Sequence, residues 1–225
     1  MVLLSTLQAK EYVVILHGIF RTSRHMKPLA RFLEGKGYEV LNIDYPSTRY
    51  PLAELIERTA KDIEARITDK TSTVHFVGYS MGGLIARGII QHDRPAHLGR
   101  VVLLGTPNHG SEVADFLKQN FLYRKFYGPA GQQLGTKDIA EIQSLFGKID
   151  YELGGIAGNV TRLPFISYLM PGEGDGSVSV ESTKLKDMKA HKVVRTCHMY
   201  FPKNKEIQQS TAYFLKHGTF PDTMT

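Results

Sequence analysis

Ser80 stands in Gly78-Tyr79-Ser80-Met81-Gly82, between an apolar run that reads as a strand and a run that reads as a helix. A bare Gly-x-Ser-x-Gly pattern is common. At a strand-to-helix junction it describes a tight turn that presents a serine hydroxyl above a sheet. Gly78, Gly82 and Gly83 keep side chains out of that crowded turn. The helix that follows aims its positive end at the place where negative charge develops. The chemistry this suggests is nucleophilic attack on a carbonyl carbon. A hydroxyl needs a base to take its proton, and histidine suits that near neutral pH. A carboxylate must then fix the imidazole tautomer and stabilise its charged form.

The elements that must position these groups follow from the hydrophobic pattern. Tyr12 to Leu16 is a continuous apolar run, as expected of a strand buried on both faces. Arg24 to Lys36 has Met26, Leu29, Ala30 and Leu33 at helical spacing, ended by Gly35 and Gly37. Glu39 to Tyr45 reads as a second strand. Pro51 then opens a helix with Leu52, Leu55, Ile56, Ile63 and Ile67 on one stripe. Thr73 to Val77 is the third strand and Leu84 to Gln91 a helix. Arg100 to Leu104 is the fourth strand.

Residues 108–150 are loosely helical and rich in aromatics. Leu153 to Ala157 reads as a short glycine-rich strand, Lys192 to Cys197 as the last strand, and Lys205 to Lys216 as a closing helix. Alternation of this kind predicts one α/β domain over residues 1–225: a mostly parallel central sheet with helices on both faces. A small helical insert, a candidate lid, follows the fourth strand. Ligands in such sheets bind beyond the carboxyl ends of the strands, where the motifs fall.

Four segments together resemble the α/β-hydrolase superfamily: Leu16-His17-Gly18-Ile19, Gly78 to Gly83, Leu104 to Ser111, and Gly174-Asp175-Gly176-Ser177-Val178. Within that fold the chain is similar to small bacterial lipases and esterases and to lipase-like relatives of the GPI inositol-deacylases. The resemblance spans roughly residues 12 to 200 and implies a carboxylic ester hydrolase needing no cofactor. It implies backbone N–H donors for the oxyanion at Met81 and Ile19, with Phe20 as the fallback, and a structural role for His17.

The fold's chain order of serine, acid, histidine puts the other two groups after Ser80. Of the late histidines, His191 precedes the last strand and His217 ends the final helix. His198 directly follows the last strand and is the expected base. Asp175 is the expected acid, supported by the resemblance, with Glu173 a close competitor and Asp150 a distant one. Asp44 precedes the serine and is expected to cap a strand end. His109 and Ser111 are expected to brace the site.

The remaining expectations come from composition. The formal net charge is +6, with seven basic residues between Lys184 and Lys205. These read as a solvated face beside a strand, with weak contact to an anionic membrane as the alternative. No nucleic-acid motif accompanies the charge, and the histidines show no metal-ligand spacing. Cys197 is the single cysteine, so no intrachain disulfide can form, and it is expected to be buried. No run approaches the ~18 apolar residues of a membrane span. Val2, Leu3 and Leu4 are too short for a signal peptide, so a cytoplasmic location is expected. The substrate is expected to be a small-molecule or lipid ester with an apolar acyl group; Phe116, Phe121, Tyr123, Phe126 and Tyr127 either line its acyl pocket or simply close the core. A thioesterase, amidase or acyltransferase could use the same triad, and a catalytically silent binding protein could keep the same fold.

Overall fold

Val13, Val14, Ile15 and Leu16 are all fully buried, although successive side chains on a strand point to opposite faces. Both faces of the sheet must therefore be covered. The computed structural model, which describes residues 10–162 and 164–221, shows how. Val14 and Leu16 join one core with the helices α2 (Leu52–Arg66) and α3 (Met81–His92). Val13 and Ile15 join a second core with α1 (Ser23–Glu34) and α9 (Lys205–His217). Val101 and Leu103 against Val102 and Leu104 repeat the split.

Six strands form the sheet: β1 (Glu11–Leu16), β2 (Glu39–Ile43), β3 (Thr73–Tyr79), β4 (Leu98–Leu104), β5 (Leu153–Gly158) and β6 (Ala190–Val194). Their spatial order is β2-β1-β3-β4-β5-β6 and every pairing is parallel. All the strands therefore point their carboxyl ends to one rim, from which the functional loops leave.

Residues 108–150 hold α4 (Glu112–Leu117), α5 (Phe121–Gln132), α6 (Thr136–Glu141) and a 3-10 turn at Gln143–Leu145. Ser111 Oγ caps α4 by accepting from Ala114 N–H, and Asn120 Oδ1 caps α5 by accepting from Leu122 N–H. The second half of the segment closes the α2–α3 core through Ala130, Leu134, Ile139 and Phe146. Two short helices follow β5: α7 (Pro164–Ser167), whose Ile166 packs with Val113 of α4, and α8 (Val180–Thr183).

Several boundaries differ from the sequence reading. β3 runs on through Tyr79 and α3 starts at Met81, not Leu84, because the Ser80 turn needs no linker. β2 stops at Ile43, before Tyr45. The last strand spans Ala190–Val194, starting two residues and ending three residues earlier than expected. His191 thus lies inside β6, its Nε2 2.8 Å from Thr183 Oγ1, and Cys197 lies beyond the strand, still buried. Of the basic run, Lys184 pairs with Glu181, Lys189 with Glu152 and Lys192 with Glu206. Among the described residues no helix is long and apolar enough to cross a membrane. Val2, Leu3 and Leu4 lie outside the described residues.

Candidate active site

Ser80 has φ 54° and ψ −127°, a left-handed conformation that a serine adopts only under constraint. The constraints are its neighbours. Ser80 N–H donates to Leu104 O of β4 at 2.8 Å, and Ser80 O accepts from Gly83 N–H at 2.9 Å. A Cβ on Gly82 would stand 2.3 Å from Leu16 O, so this helix can follow the turn only where that position has no side chain. The elbow is thus built by packing α3 hard against β1.

His198 opens a 3-10 turn, His198–Lys203, just past β6. Its Nε2 lies 3.0 Å from Ser80 Oγ and its Nδ1 2.6 Å from Asp175 Oδ2. Asp175 is buried. Its Oδ1 accepts from Ser177 N–H and Val178 N–H, both at 2.9 Å. Asp175 O also accepts from His198 N–H at 2.9 Å, which ties the two loops together by backbone as well as by side chain. With one carboxylate oxygen held by the turn, the other is left for the imidazole. A carboxylate at Nδ1 favours the Nδ1–H tautomer, so the Nε2 lone pair faces the serine hydroxyl.

The competing residues fall elsewhere. Glu173 is exposed and accepts from Asn159 Nδ2 at 3.1 Å. Asp150 pairs with Arg94. His217 packs tilted against Tyr213 at the end of α9. Asp44 accepts from Ser23 N–H at 2.9 Å, just past the end of β2.

His17 is fully buried, and burial lowers its pKa. Asp44 Oδ1 approaches its Nε2 at 3.3 Å, but Tyr45 N–H donates to the same nitrogen at 3.3 Å. The desolvated, neutral ring is therefore an acceptor at Nε2 and a donor from Nδ1 to Gly18 O at 2.8 Å. Stacked on Tyr45 at 4.1 Å, His17 braces the loop after β1.

That loop reaches Ser80: a Cβ on Gly18 would stand 3.0 Å from Ser80 Cβ. Phe20 N–H is committed to Ser47 Oγ at 3.1 Å, so of the two candidate oxyanion donors in the loop Ile19 is the one whose N–H has no partner among the described residues. Met81 opens α3, where a backbone N–H has no partner within its own helix. His109 is exposed, while Ser111 Oγ donates to Ser177 O at 2.6 Å and so braces the Asp175 turn.

Tyr79 was not singled out by sequence reasoning. Its hydroxyl donates to His198 O at 2.8 Å, and its ring lies 5.0 Å from the imidazole. Burial holds the phenol protonated far above its usual range. The only signal in the sequence was an aromatic residue beside the serine. His25, 5.2 Å from Tyr79, also escaped notice. Burial, then the nearby charges of Arg21 and His198, lower its pKa to about 4.

Residues 12–141 match the sequence family described as palmitoyl protein thioesterase, more than half of the chain. The chain belongs to the palmitoyl protein thioesterase family. The stretch that carries this family's pattern includes Ile19, Ser80 and Met81 and stops short of Asp175 and His198. The human lysosomal thioesterase PPT2 is 26% identical over 134 residues, taking in 54% of this chain and 44% of the relative. The chain thus aligns with less than half the length of that relative.

In fold, this thioesterase-family chain is similar to the mature form of the Bacillus licheniformis lipase BlEst2, with a TM-score of 0.79 and 23% identity, covering 94% of this chain and 93% of the other. It is also similar to the Paleococcus ferrophilus monoacylglycerol lipase, with a TM-score of 0.60 and 16% identity over 93% and 96% of the two chains. These likenesses establish the α/β-hydrolase fold.

Proposed function

We propose that the protein hydrolyses carboxylic esters of apolar acyl groups through an acyl-enzyme on Ser80. The observation that carries this is the line from Ser80 Oγ to His198 Nε2 at 3.0 Å and from His198 Nδ1 to Asp175 Oδ2 at 2.6 Å. In the first half-reaction Ser80 Oγ bonds to the carbonyl carbon while its proton passes to His198 Nε2. The oxyanion lies against the Ile19 and Met81 N–H groups. The tetrahedral intermediate collapses, the bond to the leaving group breaks, and Nε2 returns the proton to it. Water then attacks the acyl carbon, its proton goes to Nε2, and that proton finally restores the serine hydroxyl as the acid leaves. Asp175 stays ionised and stabilises the imidazolium in both halves.

The family match favours one second reading, in which the scissile bond is a thioester. The same residues serve it, and a thiolate leaves more readily than an alkoxide. A chain-length series of p-nitrophenyl esters, run beside the matching acyl thioesters, separates the two readings by their ratio of kcat/KM. A fluorophosphonate probe should label the native protein, and Ser80→Ala should neither label nor turn over. Folded protein that neither labels nor cleaves any acyl length removes the proposal and leaves a binding protein on a hydrolase fold.

A further inference from the structure

We infer that the mouth of the site docks on an anionic lipid surface, with α5 as the principal contact. The inference rests on where the structure leaves large apolar side chains uncovered, and it does not depend on the catalytic role of Ser80. Eleven large hydrophobic side chains are exposed among the described residues, and only Val193 and Tyr213 lie away from the segments that leave the carboxyl ends of the strands. The rest gather on the loops after β1, β4, β5 and β6, which also carry the site.

α5 shows this most clearly. Phe121 is 74% exposed, Leu122 58% and Phe126 53%. Tyr123 and Tyr127 on the same helix turn inward and stack at 4.3 Å, and Tyr127 stacks on Phe20 of the oxyanion loop at 5.5 Å. The inward face therefore anchors α5 beside the site, and no described residue covers the outward face.

An exposed apolar patch of this kind marks an interaction surface. The charge on it selects the partner. Between the exposed apolar residues stand Arg124 and Lys125, both exposed, and α5 contains no carboxylate. Neither basic residue has an ion-pair partner among the described residues, whereas Lys184, Lys189 and Lys192 of the basic run near β6 do. Across the site, Met199 and Tyr200 are also more than half exposed, and Arg162 lies 5.2 Å over the Tyr200 ring. Aromatic rings that enter the headgroup boundary, interleaved with cations that meet lipid phosphates, fit an anionic bilayer surface. The chain's net charge of +6 acts in the same direction. Docked in this way, the site opens toward acyl chains held in the membrane.

Co-sedimentation with vesicles tests this, using phosphatidylcholine alone and phosphatidylcholine mixed with phosphatidylglycerol. The full chain should bind the mixed vesicles more tightly, and the difference should shrink as salt rises. The pair Arg124→Glu and Lys125→Glu should weaken binding to the mixed vesicles on the order of tenfold or more. Phe121→Ser with Phe126→Ser should weaken it by on the order of tenfold or more on either vesicle, following the lost apolar burial. Circular dichroism and turnover of a short, water-soluble ester by the charge variants should match the native protein, which separates lost docking from lost folding or lost chemistry. Absence of vesicle binding by the native chain overturns the inference, as does binding that ignores both variant pairs. A concentration-dependent dimer dissolved by Phe121→Ser with Phe126→Ser would give the patch to a second copy and overturn it as well.

Discussion

His198 faces two partners of unlike chemistry, a hydroxyl at Nε2 and a carboxylate at Nδ1, and its proposed role as base requires both. The Asp175 carboxylate is divided between two roles, with Oδ1 holding its own turn while Oδ2 faces the ring. Replacing it with Asn isolates the second role, because the amide oxygen can still accept from the Ser177 and Val178 N–H groups. Asp175→Asn is therefore expected to keep the thermal midpoint within a few degrees while kcat falls about 10³- to 10⁴-fold, measured on a soluble ester. Tyr79→Phe should act more gently. Losing the hydroxyl that donates to His198 O at 2.8 Å is expected to lower kcat about 3- to 10-fold with KM unchanged, in line with the worth of one hydrogen bond. At this scale the sequence was only partly legible. Asp175 and Glu173 both stand among glycines. What separates them is the turn that buries Asp175 and leaves Glu173 in solvent, which spacing does not encode.

At the scale of elements, the elbow between β3 and α3 concentrates the demands. Gly82→Ala would place a methyl 2.3 Å from a backbone carbonyl, which cannot swing away as a side chain could. The variant is expected to lose about 3 kcal/mol or more of stability and to abolish fluorophosphonate labelling even where it still folds, read by denaturant titration and by the probe. The elbow was legible because its glycines, Gly78, Gly82 and Gly83, all lie in one short stretch of chain. The last strand was less so: it starts two residues and ends three residues earlier than its apolar run suggested, because an edge strand is paired on one side only and the run continues into a buried loop. The insert's aromatics divided in a way their spacing did not reveal. Tyr123 is buried and Tyr127 half-buried, while Phe116, Phe121 and Phe126 are exposed and so do not together line an enclosed acyl pocket.

For the molecule as a whole, the sheet's other end sets a dependence of stability on pH. His75 is buried in β3, and its Nδ1 accepts from Arg100 N–H at 2.8 Å. Burial first, and then the Arg100 charge, lower its pKa from 6.5 to about 4. The unfolded chain thus binds a proton between about pH 6.5 and 4 that the folded chain refuses. Stability is full above pH 6.5 and falls as pH drops through that window, by up to about 3 kcal/mol. His75→Gln should flatten the slope in thermal midpoints measured across the window. An unchanged slope would move the effect to His25, whose pKa is lowered to a similar value.

The sequence alone determined the layout: strands buried on both faces alternate with amphipathic helices, and that pattern permits little except a parallel sheet covered on both sides. It also determined where the Gly-x-Ser-x-Gly turn lies, because local backbone demands are written in local residues. Tertiary structure alone decided which carboxylate and which histidine meet the serine. His198 and Ser80 are 118 positions apart, and their 3.0 Å separation comes from the packing of β3, β4, β5 and β6 and the loops that leave β3 and β6. Contacts of that range depend on how whole elements pack, and no short stretch of chain carries them.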